Sequence, residues 1–213
     1  MVFSSRINGG NGMVETPPRY SADLTGNPLL FAETRMTAKM RCAGLTDDEI
    51  VEEIWEHNLY QYNGRKKLRE RARAILRRLD KLSPELLEIV AEGPLDLAKL
   101  TALYAVAKSN RVVADFIIQV YVPNARLAEG RIEQYDAKEF FRVLREQNEV
   151  VAAWSESTIE RLRQAVVKML ADAGLLVSTR EPAITRPVIP ASYREALEAV
   201  GDGCYAQMLI GGM

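Results

Sequence analysis

The chain has 213 residues, with 28 lysines and arginines against 29 aspartates and glutamates and one histidine, for a net charge of −1. An apolar share of 47% can fill a real core in one domain or two small ones. The charge balance excludes a generally basic protein that coats nucleic acid, so any anionic partner has to be met by a local patch.

Several chemistries are missing from the outset. Cys42 and Cys204 stand far apart with no CxxC, and with His57 they make no zinc ligand set. Both read as free thiols of a reducing compartment. No HExxH and no Gly-x-Ser-x-Gly occurs, and one histidine leaves no nucleophile–base pairing. The expectation is a protein that is not an enzyme and holds no cofactor or metal. Residues 1–12 contain no apolar signal region. The longest near-apolar run, 112–122, is broken by Asp115 and Gln119 and is well short of the roughly 20 residues of a spanning helix. A soluble, cytoplasmic protein with no membrane partner is expected.

Residues 1–18, rich in Gly, Ser, Asn and Pro, read as a flexible tail. Pro28 is placed as the first helical residue after Asn27 as N-cap. Leu29, Leu30, Glu33, Met36, Thr37 and Met40 keep helical spacing to about Cys42, and Gly44 stops that helix. Thr46 and Glu49 form a capping box, and the helix behind them points Ile50, Ile54 and Trp55 inward. It carries six acids and no base over 46–56. After a turn at 58–64 comes the most polarised stretch of the chain, 65–82, with nine basic and two acidic residues and a net charge of +7. Leu68, Ala72, Ile75, Leu79 and Leu82 make one apolar stripe at helical spacing. The opposite face holds Lys66, Arg69, Arg73 and Arg77, flanked by Lys67, Arg71 and Arg78. A solvated charged face is the plainer reading. Like charges at i,i+4 repel, however, and that cost favours an anionic partner. The region 28–82 therefore outlines a helix-turn-helix unit, with 46–56 as supporting helix and 65–82 as recognition helix, though its joint is longer than the usual tight turn.

Helices are expected from Ser83 to Gly93 and from Pro94 onward. The segment 111–121, apolar almost all round, belongs in the middle of a core, and Pro123 should end or kink it. A second unit begins with a capping box at Asp136 and Glu139 on a helix running to about Glu149. Another box at Ser157 and Glu160 opens a helix over 157–173. That helix buries Ile159, Leu162, Val166, Met169 and Ala173, and shows Ser157, Arg161, Gln164 and Lys168. Arg161 and Gln164 are residue types that read guanine and adenine edges. After Gly174, the segments 175–177 and 184–189 flank a polar turn with Arg180 and Arg186, which is the order of a winged helix. Net charge over 136–172 is only −1. A last helix runs over 192–200, and the tail 204–210 is apolar enough to pack back on the body. The expected fold is all-α, a globular multi-helix fold with two helix-turn-helix units, the second with a small β-wing. Its divisions are a tail (1–18), an N-terminal region (19–105) and a winged-helix-like C-terminal region (106–213).

The stretches Arg19-Tyr20-Ser21-Ala22-Asp23-Leu24-Thr25, Leu29-Leu30-Phe31-Ala32-Glu33-Thr34, Gly44-Leu45-Thr46 with Glu49-Ile50, Trp154-Ser155-Glu156-Ser157-Thr158 and Ala173-Gly174-Leu175-Leu176 resemble the BrxA family of bacteriophage exclusion (BREX) systems. These are packing and capping motifs, so they mark a family more than an activity. The resemblance implies an all-α fold with two helix-turn-helix units, double-stranded DNA binding, and a role in antiphage defence beside other BREX proteins, the DNA methyltransferase among them. On that reading Arg65, Lys66, Lys67, Arg69, Arg73 and Arg77 hold phosphates, and Arg161, Gln164, Lys168, Arg180 and Arg186 supply a second, weaker contact. A monomer is expected. Two other readings stand beside it. One is an RNA-binding, antitermination-like factor. The other is an adaptor that docks its basic helix on an acidic partner subunit.

Overall fold

The computed structural model describes residues 18–26 and 28–209. Apart from Pro18, the expected tail lies outside the described residues, as do Asn27 and Ile210. The described chain is all-α. A 3-10 turn, Asp23–Thr25, precedes α1 (Phe31–Cys42). Pro28 is not the first helical residue: Leu29 is buried in the core, Leu30 turns the chain with a left-handed φ of 47°, and α1 starts only after it. α2 (Asp47–His57) carries the capping box expected of Thr46, whose N–H donates to Glu49 Oε2 at 2.8 Å while Glu49 N–H donates back to Thr46 Oγ1 at 3.4 Å.

The joint 58–64 is a built turn. Asn58 and Gln61 are both left-handed, and the Asn58 amide side chain exchanges two hydrogen bonds with the Tyr62 backbone. The basic stretch does not form one helix over 65–82. Arg65–Lys67 makes a 3-10 turn, and α3 runs Leu68–Leu79. Regular helix begins at the first side chain that is buried, Leu68, because the three cations before it have no apolar face to pack. α4 (Pro84–Glu92) is capped by Ser83 with Pro84 in its first turn, as its sequence requires. Helices α1 to α4 enclose a smaller core built on Ile50, Ile54, Leu68, Ile75, Leu79 and Val90.

α5 (Leu95–Ser109) is buried on nearly every side and packs against α1, α3, α4, α6 (Arg111–Phe116) and the later helix α10 (Glu156–Asp172). It joins the halves. The segment 111–121 lies in the larger core, as its composition demands. It continues as a π-helical turn, Ile117–Tyr121, into α7 (Val122–Ala125). Pro123 therefore does not end the helical run; it stands in the first turn of α7. The widened turn precedes it, where an unbroken α-helix would drive the proline ring into the carbonyl four residues back.

The remaining helices are α8 (Gln134–Gln147), α9 (Glu149–Ala152), α10 (Glu156–Asp172), α11 (Ala191–Ala199) and α12 (Gly203–Leu209). Two expected caps move. α8 is capped by Glu133, whose N–H donates to Asp136 Oδ2 at 2.8 Å, and α10 is capped by Ser155, which accepts from the Thr158 N–H at 3.2 Å. In both cases a side chain two or three residues earlier already meets the open N–H groups, so the later box is inside the helix. Where a β-wing was expected, two isolated antiparallel bridges occur, Leu176 with Ile184 and Arg131 with Ala183, and no strand is formed among the described residues. The N-terminal 3-10 turn packs on α10, and Leu82 touches both cores.

Candidate nucleic-acid interface

α3 buries Leu68, Ala72, Ala74, Ile75, Leu76 and Leu79, a wider arc than the expected stripe. Arg78, four residues after Ala74, goes inward with them. It is 5% exposed and donates from Nη1 to the Pro28 carbonyl at 2.8 Å. Burial pushes its guanidinium down to about 10; Asp23 opposes the shift and Arg77 adds to it. The flank position expected of Arg78 is therefore an interior one.

Three more cations of the stretch stand over aromatic rings, two of them closely. Arg69 sits 4.1 Å over the Trp55 ring and pairs with Glu52 at 2.7 Å, and Arg65 stands 6.0 Å from the same ring. Arg71 sits 4.5 Å over Tyr62, whose hydroxyl donates to Glu33 at 2.7 Å. The buried Nε of Arg69 and of Arg71 has no hydrogen-bond acceptor among the described residues, so ring contact replaces that bond. Stacking fixes both guanidinium planes and lowers the entropy lost when they meet a ligand. Charge reading alone missed the parts played by Trp55, Tyr62 and Arg71. The available signal was the placement of aromatics just ahead of a basic run.

Arg65, Lys66, Lys67, Arg73 and Arg77 are exposed. So are all six acids of α2, of which Glu52 touches α3. The two helices thus set an acidic ridge beside a cationic one.

The second expected surface is different in kind. Arg161, Gln164 and Lys168 share the exposed face of α10. Gln164 donates to Glu160 at 2.7 Å, and Lys168 pairs with Asp172 at 2.7 Å. Hydrogen bonds from Arg163 first, then Gln164, hold the Glu160 carboxyl below the usual range. Arg180 is exposed in its turn. Arg186 donates from Nε and Nη2 to the Ala125 carbonyl at 3.0 and 2.7 Å, and from Nη2 to the Leu127 carbonyl at 2.8 Å. These are open acceptors at the C-terminal end of α7, so Arg186 ties the 184–189 segment to that helix. A cleft of about 620 Å³ between α8 and α10 is lined by Lys138 and by three arginines that already have carboxylates. Arg142 pairs with Glu139 and Glu146, Arg145 with Glu156, and Arg163 with Glu160.

Among the described residues no three His, Cys, Asp or Glu side chains gather where a metal ion could sit, and no helix is long and apolar enough to cross a membrane. His57 is exposed, 3.5 Å from Glu53. The molecule is an all-α protein whose most polarised surface is a single cationic helix.

The chain belongs to the BrxA family, whose model matches residues 18–201. It is 28% identical over 193 residues to the BREX protein BrxA of Bacillus cereus (strain H3081.97), covering 90% of this chain and 96% of the relative. It is 26% identical over 171 residues to the BREX protein BrxA of Escherichia coli O9:H4 (strain HS), covering 80% of each. The same fold occurs in the crystal structure of an uncharacterized protein from Magnetospirillum magneticum, with a TM-score of 0.78 at 21% identity, over 92% of this chain and 100% of that one.

Proposed function

We propose that this BREX protein is a non-enzymatic, double-stranded DNA-binding accessory in antiphage defence. The observation that carries the reading is the exposed cationic face over 65–77, part of the +7 stretch 65–82 in a chain of net charge −1. Arg65, Lys66, Lys67, Arg73 and Arg77 meet phosphates directly, and Arg69 joins them by exchanging Glu52 for a phosphate. An exposed ion pair of this kind contributes only about 0–1 kcal/mol, so the exchange is cheap. The acidic α2 ridge repels phosphates and keeps the duplex on the far side of α3. That differs from a helix-turn-helix unit in which the supporting helix crosses the DNA backbone. Arg161, Gln164, Lys168 and Arg180 form a second, weaker surface, with Gln164 and Lys168 first released from Glu160 and Asp172. Arg186 contributes to that surface chiefly by holding the 184–189 segment in place. Other BREX proteins, including the DNA methyltransferase, are the protein partners of this reading, and the chain acts as a monomer in the cytoplasm.

The test is a salt series of fluorescence anisotropy with a labelled duplex. Each phosphate contact contributes about 0.9 to the log–log salt slope. Changing Lys66, Lys67, Arg73 and Arg77 together to Gln is expected to make the slope shallower by roughly 3 to 4 units with helicity by circular dichroism unchanged. Unchanged affinity in the folded variant would remove α3 from the DNA site and favour an adaptor whose basic helix meets an acidic subunit. Stronger binding to single-stranded RNA than to duplex would favour the antitermination-like reading.

A further inference from the structure

The stretch that leads into α11 joins neither a helix nor a bridged pair. The bridged segment ends at Thr185, whose N–H donates to the Leu175 carbonyl at 2.9 Å, and Arg186-Pro187-Val188-Ile189-Pro190 then runs to the start of α11. The sequence itself sets the shape of this run. Each proline ring fixes φ at about −65°, and the residue before a proline is pushed out of the helical region. Arg186, Pro187, Ile189 and Pro190 are therefore all biased to extended backbone, and only Val188 is unconstrained. Pro190 shows the result, with φ of −61° and ψ of 152°, the dihedrals of a polyproline II helix. The prolines also remove two N–H donors, so the run cannot continue as a strand of the bridged segment.

The run is pinned at both ends and open between them. At one end the Arg186 guanidinium holds the Ala125 and Leu127 carbonyls. At the other the Pro190 carbonyl accepts from the Arg194 N–H at 3.2 Å, in the first turn of α11. Ile189 is half-buried and packs on the larger core. A polyproline II helix has about three residues per turn, so Pro187 and Pro190 share one edge, Val188 forms the second and Ile189 the third. With Ile189 turned in, the other two edges face out. Val188 is 89% exposed, the most exposed large apolar side chain among the described residues, and its N–H and carbonyl have no hydrogen-bond partner among them. Leu127, at the far end of the Arg186 clamp, is 57% exposed.

A single exposed valine is ordinary on a protein surface. This one stands on a preset extended segment between two prolines, with open backbone groups. That is the form in which Pro-x-x-Pro segments enter grooves lined with aromatic rings. Little backbone freedom is left to lose on binding, because folding has already fixed it. The run carries no acid, and its one cation is turned to carbonyls, so an apolar, aromatic protein surface fits it better than a phosphate backbone. We propose that Pro187-Val188-Ile189-Pro190 is a docking motif for another BREX protein, which takes it in a groove lined by aromatic side chains. Such docking rests on the protein-partner half of the proposed function and is independent of its DNA half.

The probes are the other BREX proteins of the same defence system, purified singly, and their binding to the full chain is measured by biolayer interferometry without nucleic acid. Four forms of the chain are compared: the natural sequence, Val188→Ser, Pro187→Ala with Pro190→Ala, and the fourfold Gln variant of Lys66, Lys67, Arg73 and Arg77. Circular dichroism checks each fold. One BREX protein is expected to bind the natural sequence. Val188→Ser should weaken that binding about tenfold or more, because a buried apolar anchor is lost. The proline variant should weaken it about fivefold or more, because the freed backbone has to be ordered again. The fourfold Gln variant should change it less than about twofold. A photoreactive side chain in place of Val188 should cross-link to aromatic residues of that partner. Binding by none of the probes, binding unchanged in the Val188 or the proline variant, or cross-linking to a second copy of this chain would overturn the motif. Loss of binding in the fourfold Gln variant alone would overturn it too and give the partner to the basic helix. Failure of duplex binding with the Val188 dependence retained would sink the DNA reading and leave the motif standing.

Discussion

If α3 meets a phosphate, Glu52 sets how much of Arg69 that phosphate can claim. The carboxylate holds the guanidinium at 2.7 Å, while the Trp55 ring fixes its plane. If α3 meets DNA, Glu52→Gln frees the cation without moving the ring and removes one repulsive charge. Duplex affinity at fixed salt is then expected to rise by about two- to fivefold, the range implied by an exposed pair of up to about 1 kcal/mol. Weaker binding on anisotropy would mean that Glu52 positions Arg69 for its ligand. Arg186 is a different case, since its guanidinium serves the fold through three hydrogen bonds to carbonyls at and beyond the end of α7. Arg186→Ala is expected to lower stability by about 1–3 kcal/mol. Arg180→Gln, in an exposed turn, should leave the urea midpoint within error. Equal midpoints for the two variants would show that the Arg186 clamp contributes nothing.

At the scale of elements, α2 is the helix most dependent on its first turn, because three acids and a reciprocal cap meet its N-terminus. Thr46→Ala should cost about 1 kcal/mol at neutral pH, read from urea unfolding followed by circular dichroism. Hydrogen bonds from the Thr46 N–H and hydroxyl hold the Glu49 carboxyl below its usual range. A folded-state value below the unfolded one means that this stabilisation is fully present above the ordinary carboxylate range. It is lost as pH falls through the depressed folded value. The gap between the natural sequence and Thr46→Ala should therefore be widest near neutrality and narrow in acid. A gap that widens on acidification would show that Glu49 is not the cap's partner.

At the scale of the whole molecule, two clusters share one body. The smaller lies among α1 to α4, the larger runs from Leu24 to Leu209, and Leu82 touches both. α5 packs on helices of each. The chain has two tryptophans, and each reports one cluster: Trp55 is packed against the smaller and Trp154 against the larger. Single-tryptophan variants Trp55→Phe and Trp154→Phe should give coincident denaturation midpoints once each is referred to the stability of its own variant by circular dichroism. Phe116→Ala, which empties a fully buried site in the larger cluster, should cost about 3–5 kcal/mol and move the Trp55 signal as well. A Trp55 transition left in place by Phe116→Ala would show two independently folding halves.

The sequence by itself determined the all-α class, the order of most helices, the caps of α2 and α4, and the concentration of cations at 65–81. Each of these depends on groups a few residues apart, within reach of a 3.6-residue period or of one capping side chain. Only the tertiary structure decided which of those cations look outward. Arg78 is turned in by Pro28, Arg69 is held by Glu52 and Trp55, and Arg71 lies on Tyr62. It also left the expected wing as two bridges, made Arg186 a clamp on α7, and brought Lys108 to the end of α3. The physical reason is one of range. A local pattern says which side of a helix is apolar, but the partner of a charged side chain is chosen by whatever segment the packed core brings beside it.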